Sequence, residues 1–254
     1  MHDQKAKCDV LATLHASKDA WMIPNPWDIG SAQDLEKKGF KALATSSAAC
    51  AYTMGLQDGE VTLADKLAYC RAMAANTRVP LSVDFEDGYS NNPSEVAANI
   101  AQLAQTGVAG CSIEDFSRSD QQVFDFNHSL ERIEAACEAV AGMHMPFQLV
   151  ARADGFLRQQ YDLDEAIKRL QAFSKAGAHM LYVPGVNSLE MVQQVAANTD
   201  RPLNILSPFL PGASVAALGE AGATRISLGN VLLAKFRDQF IEGIDAMLAS
   251  GAAS

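Results

Sequence analysis

Three acidic residues stand together at the end of an apolar segment, where residues 83–90 read VDFEDGYS with Asp84, Glu86 and Asp87. Side chains alternate between the two faces of a β-strand, so we expect Asp84 and Glu86 to point the same way and share one small volume. Two unpaired carboxylates in that volume would raise each other's pKa, and a hard divalent cation would relieve the repulsion. The alternative is a solvated turn, because Glu-Asp-Gly is also ordinary turn sequence.

The elements that must position these acids recur along the chain as short apolar runs, each followed by a polar loop and a segment with helical spacing. Eight runs are predicted to be strands: residues 20–23, 41–46, 80–85, 109–114, 147–152, 179–184, 202–206 and 224–228. Four helical segments end in a glycine just before the next strand, at Gly39, Gly107, Gly177 and Gly222, as a left-handed helix cap requires. This pattern predicts that residues 1–254 form one (β/α)8 TIM barrel domain, with a doubly wound open sheet as the alternative.

Polar residues follow most of the predicted strands. A barrel gathers the C-terminal ends of its strands on one rim, where barrel enzymes carry their active sites. The residues at these ends are Ser46 and Ser47, Asp84 and Glu86, Glu114 and Asp115, Arg152 and Asp154, Asn204 and Ser207, and Ser227, Gly229 and Asn230. Because a buried charge is stable only when it is paired or bound to a metal, this convergence favours a functional site over a solvated turn.

Acidic residues dominate this rim, and they predict a cation. The expected cofactor is Mg²⁺, with Mn²⁺ as a substitute, held by Asp84, Glu86 and Glu114 with some contacts through water. Such a cation would polarise a chelating 2-oxo-carboxylate and stabilise an enolate-like leaving group.

The predicted partner of that cation is an anionic small molecule. Arg152 could pair with a substrate carboxylate in a bidentate fork, and backbone N–H groups at Ser46, Ser47 and Ala48 could bind its other oxygens. Asn204, near the end of the seventh predicted strand, is a further predicted substrate contact.

Composition argues against several other classes of protein. The 254 residues carry a formal net charge of −10 and no basic run, which disfavours a nucleic acid or an anionic membrane surface as partner. No glycine-rich phosphate loop, dinucleotide fingerprint or nucleophile elbow occurs. No apolar run approaches a membrane span, and the first residues do not resemble a signal peptide, so we expect a cytoplasmic protein. The five cysteines form no C-x-x-C pair and are expected to be reduced thiols.

Seven motifs, in this order and spacing, resemble the isocitrate lyase and phosphoenolpyruvate mutase superfamily. They are NPWDIGSA (25–32), ATSSAACAYTMGLQDGE (44–60), VDFEDGY (83–89), SIED (112–115), LERIEAA (130–136), VARADGF (150–156) and RISLGN (225–230). The resemblance covers nearly the whole chain. It implies a TIM barrel whose last helix is swapped with a neighbouring subunit in a homodimer or homotetramer, and a Mg²⁺-dependent reaction at a C–C or P–C bond next to an oxo-acid.

The resemblance also implies roles for individual residues. Asp84 is similar to the direct metal ligand, with Glu86 and Glu114 around it, and Asp58 to an acid that orders metal-bound water. Arg152 resembles the arginine that binds the substrate carboxylate, and residues 46–48 resemble the oxyanion-binding stretch.

One loop departs from the superfamily pattern. The lyase branches carry a K-[KR]-C-G-[HC] motif after strand four, whereas this chain reads DFSRSDQQVFDFNHSLERI there, without Cys or Lys. A proton at the leaving carbon needs a positioned donor, so cleavage of isocitrate or methylisocitrate by the usual route is not expected. We expect lysis, hydrolysis or decarboxylation of a small 2-oxo or 2-hydroxy acid, with a phosphonopyruvate hydrolase or mutase, or a non-catalytic oxo-acid binder, as alternatives.

Overall fold

Eight parallel strands form the centre of the computed structural model, which describes residues 3–251. The chain has ten strands in all: β1 (Trp21–Ile23), β2 (Leu43–Ala44), β3 (Leu81–Asp84), β4 (Gly110–Glu114), β5 (Phe116–Ser117), β6 (Gln122–Val123), β7 (Gln148–Arg152), β8 (Met180–Tyr182), β9 (Leu203–Leu206) and β10 (Arg225–Ser227) within the described residues. Strands β5 and β6 form a separate antiparallel ribbon, and the other eight form the parallel sheet. The sheet order is β1-β10-β9-β8-β7-β4-β3-β2. The two edges of this sheet meet where the Ala44 N–H, on β2, donates a hydrogen bond to the carbonyl of Pro24, just after β1, at 3.0 Å. The predicted TIM barrel and all eight of its strands are confirmed.

Helices cover the outside of this sheet. They are α1 (Gln4–His15), α2 (Ile29–Lys37), α3 (Ser47–Thr53), α4 (Leu63–Ala75), α5 (Pro93–Ala104), α6 (Phe126–Ala141), α7 (Leu163–Ala176), α8 (Leu189–Ala197), α9 (Val215–Glu220) and α10 (Val231–Ser250). The predicted left-handed glycines are confirmed, since their φ angles lie between 91° and 112°. Most helices begin at an Asp, Asn, Ser or Thr side chain that accepts a hydrogen bond from the first turn, as Thr62 does from Asp65 N at 3.2 Å.

The main hydrophobic core lies between the strands and the helices. Alternate strand residues such as Val83, Ile113 and Leu149 are fully buried there. The five cysteines are also buried, and none forms a disulfide within the described residues. The residues on the opposite face of the strands point into the barrel, and several of them, including Ser82 and Ser112, are small and polar. Barrel interiors are usually filled by bulky branched side chains, so these small residues leave space below the rim.

The last helix, α10, is the least covered element. Most of its side chains are exposed. The exposed ones include six large apolar side chains: Phe236, Phe240, Ile241, Ile244, Met247 and Leu248. An apolar face of this size on a surface helix is typical of a protein interface. Its exchange with a neighbouring subunit stays a prediction. Within residues 3–251, every helix is too short or too polar to cross a membrane.

Candidate active site

A cavity of about 320 Å³ opens at the C-terminal ends of the barrel strands. Seven of the predicted site residues line it: Ser46, Ser47, Ala48, Asp58, Asp84, Arg152 and Asn204. The two other predicted residues, Glu86 and Glu114, are not part of its lining. The structure therefore brings together the substrate-binding residues and one of the three acids proposed for the metal.

Asp84 ends β3 and faces this cavity. Its Oδ2 accepts a hydrogen bond from the Ser47 N–H at 3.1 Å, and its Oδ1 lies 3.6 Å from Arg152 Nη1. Burial alone would raise the pKa of Asp84, but Arg152, Lys66 and the Ser47 hydrogen bonds outweigh it and lower the pKa. Asp84 is therefore an ionised carboxylate in contact with the cavity, which is what a metal ligand must be.

Arg152 lies at the end of β7, surrounded by carboxylates. Its Nη1 is 3.3 Å from Glu114 Oε2, and its Nε and Nη2 both lie 2.6 Å from Asp154 Oδ1. Burial disfavours its charge, but Asp154, Glu114 and Asp84 together raise the pKa of Arg152 well above its usual value. The edge of the guanidinium that could form a substrate fork is thus already engaged by Asp154.

Glu114 ends β4, directly beside Arg152 in the sheet register, and is 5% exposed. Burial, followed by the nearby charges of Asp154 and Asp84, raises its pKa well above the usual value despite Arg152. The group around Glu114 is therefore short of positive charge. A cation beside Asp84 and Glu114 would favour the ionised form of both.

Glu86 does not line the cavity, and its backbone conformation differs from the one expected from strand alternation. β3 ends at Asp84, and Glu86 has a left-handed φ of 51°, so its side chain no longer follows the strand. Its carboxylate accepts a hydrogen bond from the Tyr89 hydroxyl at 2.7 Å and lies 3.6 Å from Lys66 Nζ and 3.4 Å from Arg118 Nη1. Burial raises the pKa of Glu86, and these two cations oppose the rise.

Arg118 connects the Glu86 turn to the loop that carries Asp58. Its Nε donates to Asp87 Oδ1 at 2.9 Å, and its Nη1 donates to the carbonyls of Gly59 and Val61, each at 3.2 Å. Asp58 itself is exposed at the cavity. The sequence drew attention to the loop of Arg118 through its missing Cys and Lys, and the arginine at position 118 was the available signal for this positioning role.

The predicted substrate-binding residues are already used in part by the protein. The Ser47 N–H is committed to Asp84, while the Ser46 side chain caps α3 by accepting from the Ala49 N–H at 3.4 Å. Asn204 is fully buried and donates to Ser227 Oγ at 3.0 Å. The Asn204 amide oxygen accepts a hydrogen bond from Arg225 Nε at 2.7 Å. Arg225 also lines the cavity, and the sequence analysis did not identify it.

The donors present fit a hydrated magnesium ion better than a preformed cage. Across residues 3–251, no three His, Cys, Asp or Glu side chains are gathered closely enough to hold an ion by themselves. Mg²⁺ commonly takes one or two carboxylates and completes its coordination with water and substrate oxygens. Asp84 with Glu114 is such a donor set, whereas Glu86 faces Lys66 and Arg118.

Comparison with known proteins fits this geometry. The sequence profile described as phosphoenolpyruvate phosphomutase matches residues 11–248. The chain belongs to this family. An uncharacterized protein of Mycobacterium tuberculosis is 34% identical over 221 residues, covering 86% of this chain and 81% of its own length. The 2-methylisocitrate lyase of Escherichia coli is 30% identical over 177 residues, covering 66% of this chain and 58% of the lyase.

Solved structures of the phosphoenolpyruvate phosphomutase and isocitrate lyase superfamily have the same fold. A protein of Burkholderia cenocepacia, provisionally assigned as a lyase or mutase, superposes with a TM-score of 0.93 at 34% identity, covering 98% of this chain and 90% of its own. A 2,3-dimethylmalate lyase superposes with a TM-score of 0.86 at 26% identity, covering 97% of this chain and 89% of its own. The resemblance inferred from the motifs is thereby confirmed, and the named relatives include both lyases and a phosphoenolpyruvate phosphomutase.

Proposed function

We propose that this chain is a Mg²⁺-dependent enzyme that cleaves a C–C bond next to the oxo group of a small 2-oxo or 2-hydroxy acid. The observation that carries this proposal is the meeting of Asp84, Glu114 and Arg152 at the ends of three consecutive barrel strands, beside an open cavity. The similarity to a 2-methylisocitrate lyase and a 2,3-dimethylmalate lyase supports it.

In this proposal the cation supplies Lewis-acid polarisation of the substrate's oxygen atoms when it is bound. Asp84 and Glu114 are the residues that would hold it, and the Ser47 hydrogen bond fixes the orientation of the Asp84 carboxylate. Arg152 keeps Asp84 ionised and opposes the rise in the pKa of Glu114, and Asp154 holds the guanidinium in place. Asp58 lies at the cavity as the acid that orders water.

A proton donor for the leaving carbon must come from somewhere other than the loop after β4. Within the part of the chain that the structure describes, residues 116–128 do not line the cavity. Tyr182 does line it, with its ring 5.2 Å from the Arg152 guanidinium. Burial, opposed by Arg152, raises the pKa of Tyr182 to about 12, so its hydroxyl keeps its proton at neutral pH. In this proposal Tyr182 delivers that proton.

Chemistry at a P–C bond is the second candidate, and the match to the phosphoenolpyruvate phosphomutase profile favours it. A panel assay separates the candidates: the protein is incubated with oxaloacetate, isocitrate, methylisocitrate, dimethylmalate and phosphonopyruvate, with Mg²⁺, with Mn²⁺ or with EDTA. We expect cation-dependent release of a smaller oxo-acid or carboxylate from one carbon acid. Phosphate release from phosphonopyruvate, or its rearrangement, would instead support a reaction at a P–C bond. No turnover of any compound would support a non-catalytic oxo-acid binder.

A further inference from the structure

One cation in the cavity, Arg225, has no acidic partner among the residues that the structure describes. Arg225 begins β10, is 4% exposed and lines the same cavity as Asp84. Its Nε donates to Asn204 Oδ1 at 2.7 Å, and its Nη1 lies 3.2 Å from His15 Nε2. Among the described residues, no Asp or Glu forms an ion pair with its guanidinium, and burial lowers its pKa to about 10 with only Tyr182 opposing the change.

Arg225 differs in this respect from Arg152. The guanidinium of Arg152 contacts three carboxylates, and a further anion would have to compete with them. Arg225 is a buried positive charge held by neutral groups, which is costly unless an anion completes the site. The cavity thus has a carboxylate-rich end at Asp84 and a cationic end at Arg225.

The hydrogen bonds of Arg225 hold it in place without neutralising it. His15 cannot supply the missing negative charge, because burial, reinforced by Arg225, lowers its pKa well below the usual value and leaves a neutral ring. That ring bridges from Arg225 to Gln148 Oε1, 3.2 Å from His15 Nδ1. Asn204 is held in turn by Ser227 at 3.0 Å. The guanidinium is therefore preorganised, as a specific anion site requires.

The neighbouring surface leaves room for a ligand group and offers it hydroxyls. Ser82 and Ser112 line the same cavity, and their hydroxyls make no hydrogen bond to any residue that the structure describes. Tyr182 lies between the two cationic side chains: its ring is 5.2 Å from the Arg152 guanidinium, and its register partner Asn204 pairs in turn with Arg225. A small molecule beside Tyr182 could therefore reach both ends of the cavity.

We propose that Arg225, oriented by Asn204, is an anion-binding and specificity-determining residue that takes the distal carboxylate of a dicarboxylic substrate. This inference rests on the proposed function, in which the 2-oxo or 2-hydroxy acid end of that substrate lies at Asp84. The chemical class that fits is a short 2-oxo or 2-hydroxy dicarboxylate. A monocarboxylate would leave Arg225 unneutralised and would bind less tightly.

The experiment compares L-malate with L-lactate, two 2-hydroxy acids that differ by the distal carboxylate. Their dissociation constants are measured by calorimetry with Mg²⁺ for the wild type, Arg225→Gln, Arg225→Lys and the exposed control Arg201→Gln. We expect the wild type and the control to prefer malate at least about tenfold, which is about 1.4 kcal/mol. Arg225→Gln should bind malate as weakly as lactate with its lactate affinity unchanged, and Arg225→Lys should recover part of the preference.

Equal binding of malate and lactate by the wild type, or no detectable binding of either, would overturn the assignment. So would equal weakening of both ligands in Arg225→Gln, which is the result expected if Arg225 only supports the fold through His15 and Asn204. Failure of the proposed function has a different signature. If the protein prefers malate through Arg225 but turns over no compound in the panel, the Arg225 anion site is supported and the proposed enzymatic function is refuted.

Discussion

Asp154 holds Arg152 by a single oxygen: Oδ1 lies 2.6 Å from both Nε and Nη2 of the guanidinium, and the Asp154 side chain is completely buried. The other Asp154 oxygen accepts from Arg158 Nε at 2.9 Å. Asp154 thereby fixes Arg152 between Asp84 and Glu114, and Arg152 in turn neutralises carboxylates that are removed from water. Removing either partner leaves an uncompensated buried charge.

Arg152→Ala should therefore destabilise the protein by about 3–5 kcal/mol at pH 8 in EDTA, measured by urea unfolding. The loss should be smaller at pH 5. Burial and nearby charges raise the folded-state pKa of Glu114 above its usual value, so without Arg152 this carboxyl takes up a proton as the pH falls and the penalty decreases. Arg158→Ala is the matched control, because Arg158 also pairs with Asp154 but is 38% exposed at its side chain. A loss that is equal at both pH values would contradict this electrostatic account.

Lys66 and Glu86 are expected to depend on each other for stability. Lys66 is completely buried, and its Nζ, 3.6 Å from Glu86 Oε1, has no hydrogen-bond partner in the described structure. Lys66→Met should cost about 3–5 kcal/mol because it removes one cation from a buried carboxylate, and the Lys66→Met, Glu86→Gln double variant should lose less than the sum of the single changes. Lys37→Met, at a lysine whose side chain is 74% exposed, should cost less than about 1 kcal/mol. Additive single effects would show that the two charges do not interact.

The exposed apolar face of α10 predicts that a second copy of the chain covers it. Phe240→Asp and Met247→Asp should each convert a dimer or tetramer to smaller species in sedimentation velocity, since a charge would have to be buried in the interface. Glu242→Gln, on the same exposed helix, is the control and should leave the oligomer unchanged. A wild-type protein that sediments as a monomer at micromolar concentration would refute this prediction.

The barrel was predictable from the sequence because its signals are local. Apolar runs of strand length, helical spacing and glycines at helix ends each depend on a few neighbouring residues. The short helix α3 was not predicted, since seven residues rich in Ala and Ser show too little periodicity. α1 was also missed, although Asp3 caps it by accepting from Lys5 N at 2.9 Å.

The pairing within the site was predictable only in part. Asp84, Glu114 and Arg152 meet because they end adjacent strands, and this follows from barrel topology. The direction of Glu86 does not follow, because alternation cannot show that β3 stops at Asp84. Arg225 was read as part of an apolar strand, and its inward direction depends on strand register, which no short segment of sequence specifies.

The most direct test of the central claim, that Asp84 holds Mg²⁺ against an anionic oxo-acid, is turnover of the best substrate from the panel as a function of Mg²⁺ concentration. The wild type should lose activity in EDTA and regain it with Mg²⁺, and the control Asp34→Ala, at a residue whose side chain is 74% exposed, should behave identically. Asp84→Ala should show no Mg²⁺-dependent turnover at any concentration. Undiminished, Mg²⁺-dependent turnover by Asp84→Ala would contradict the account.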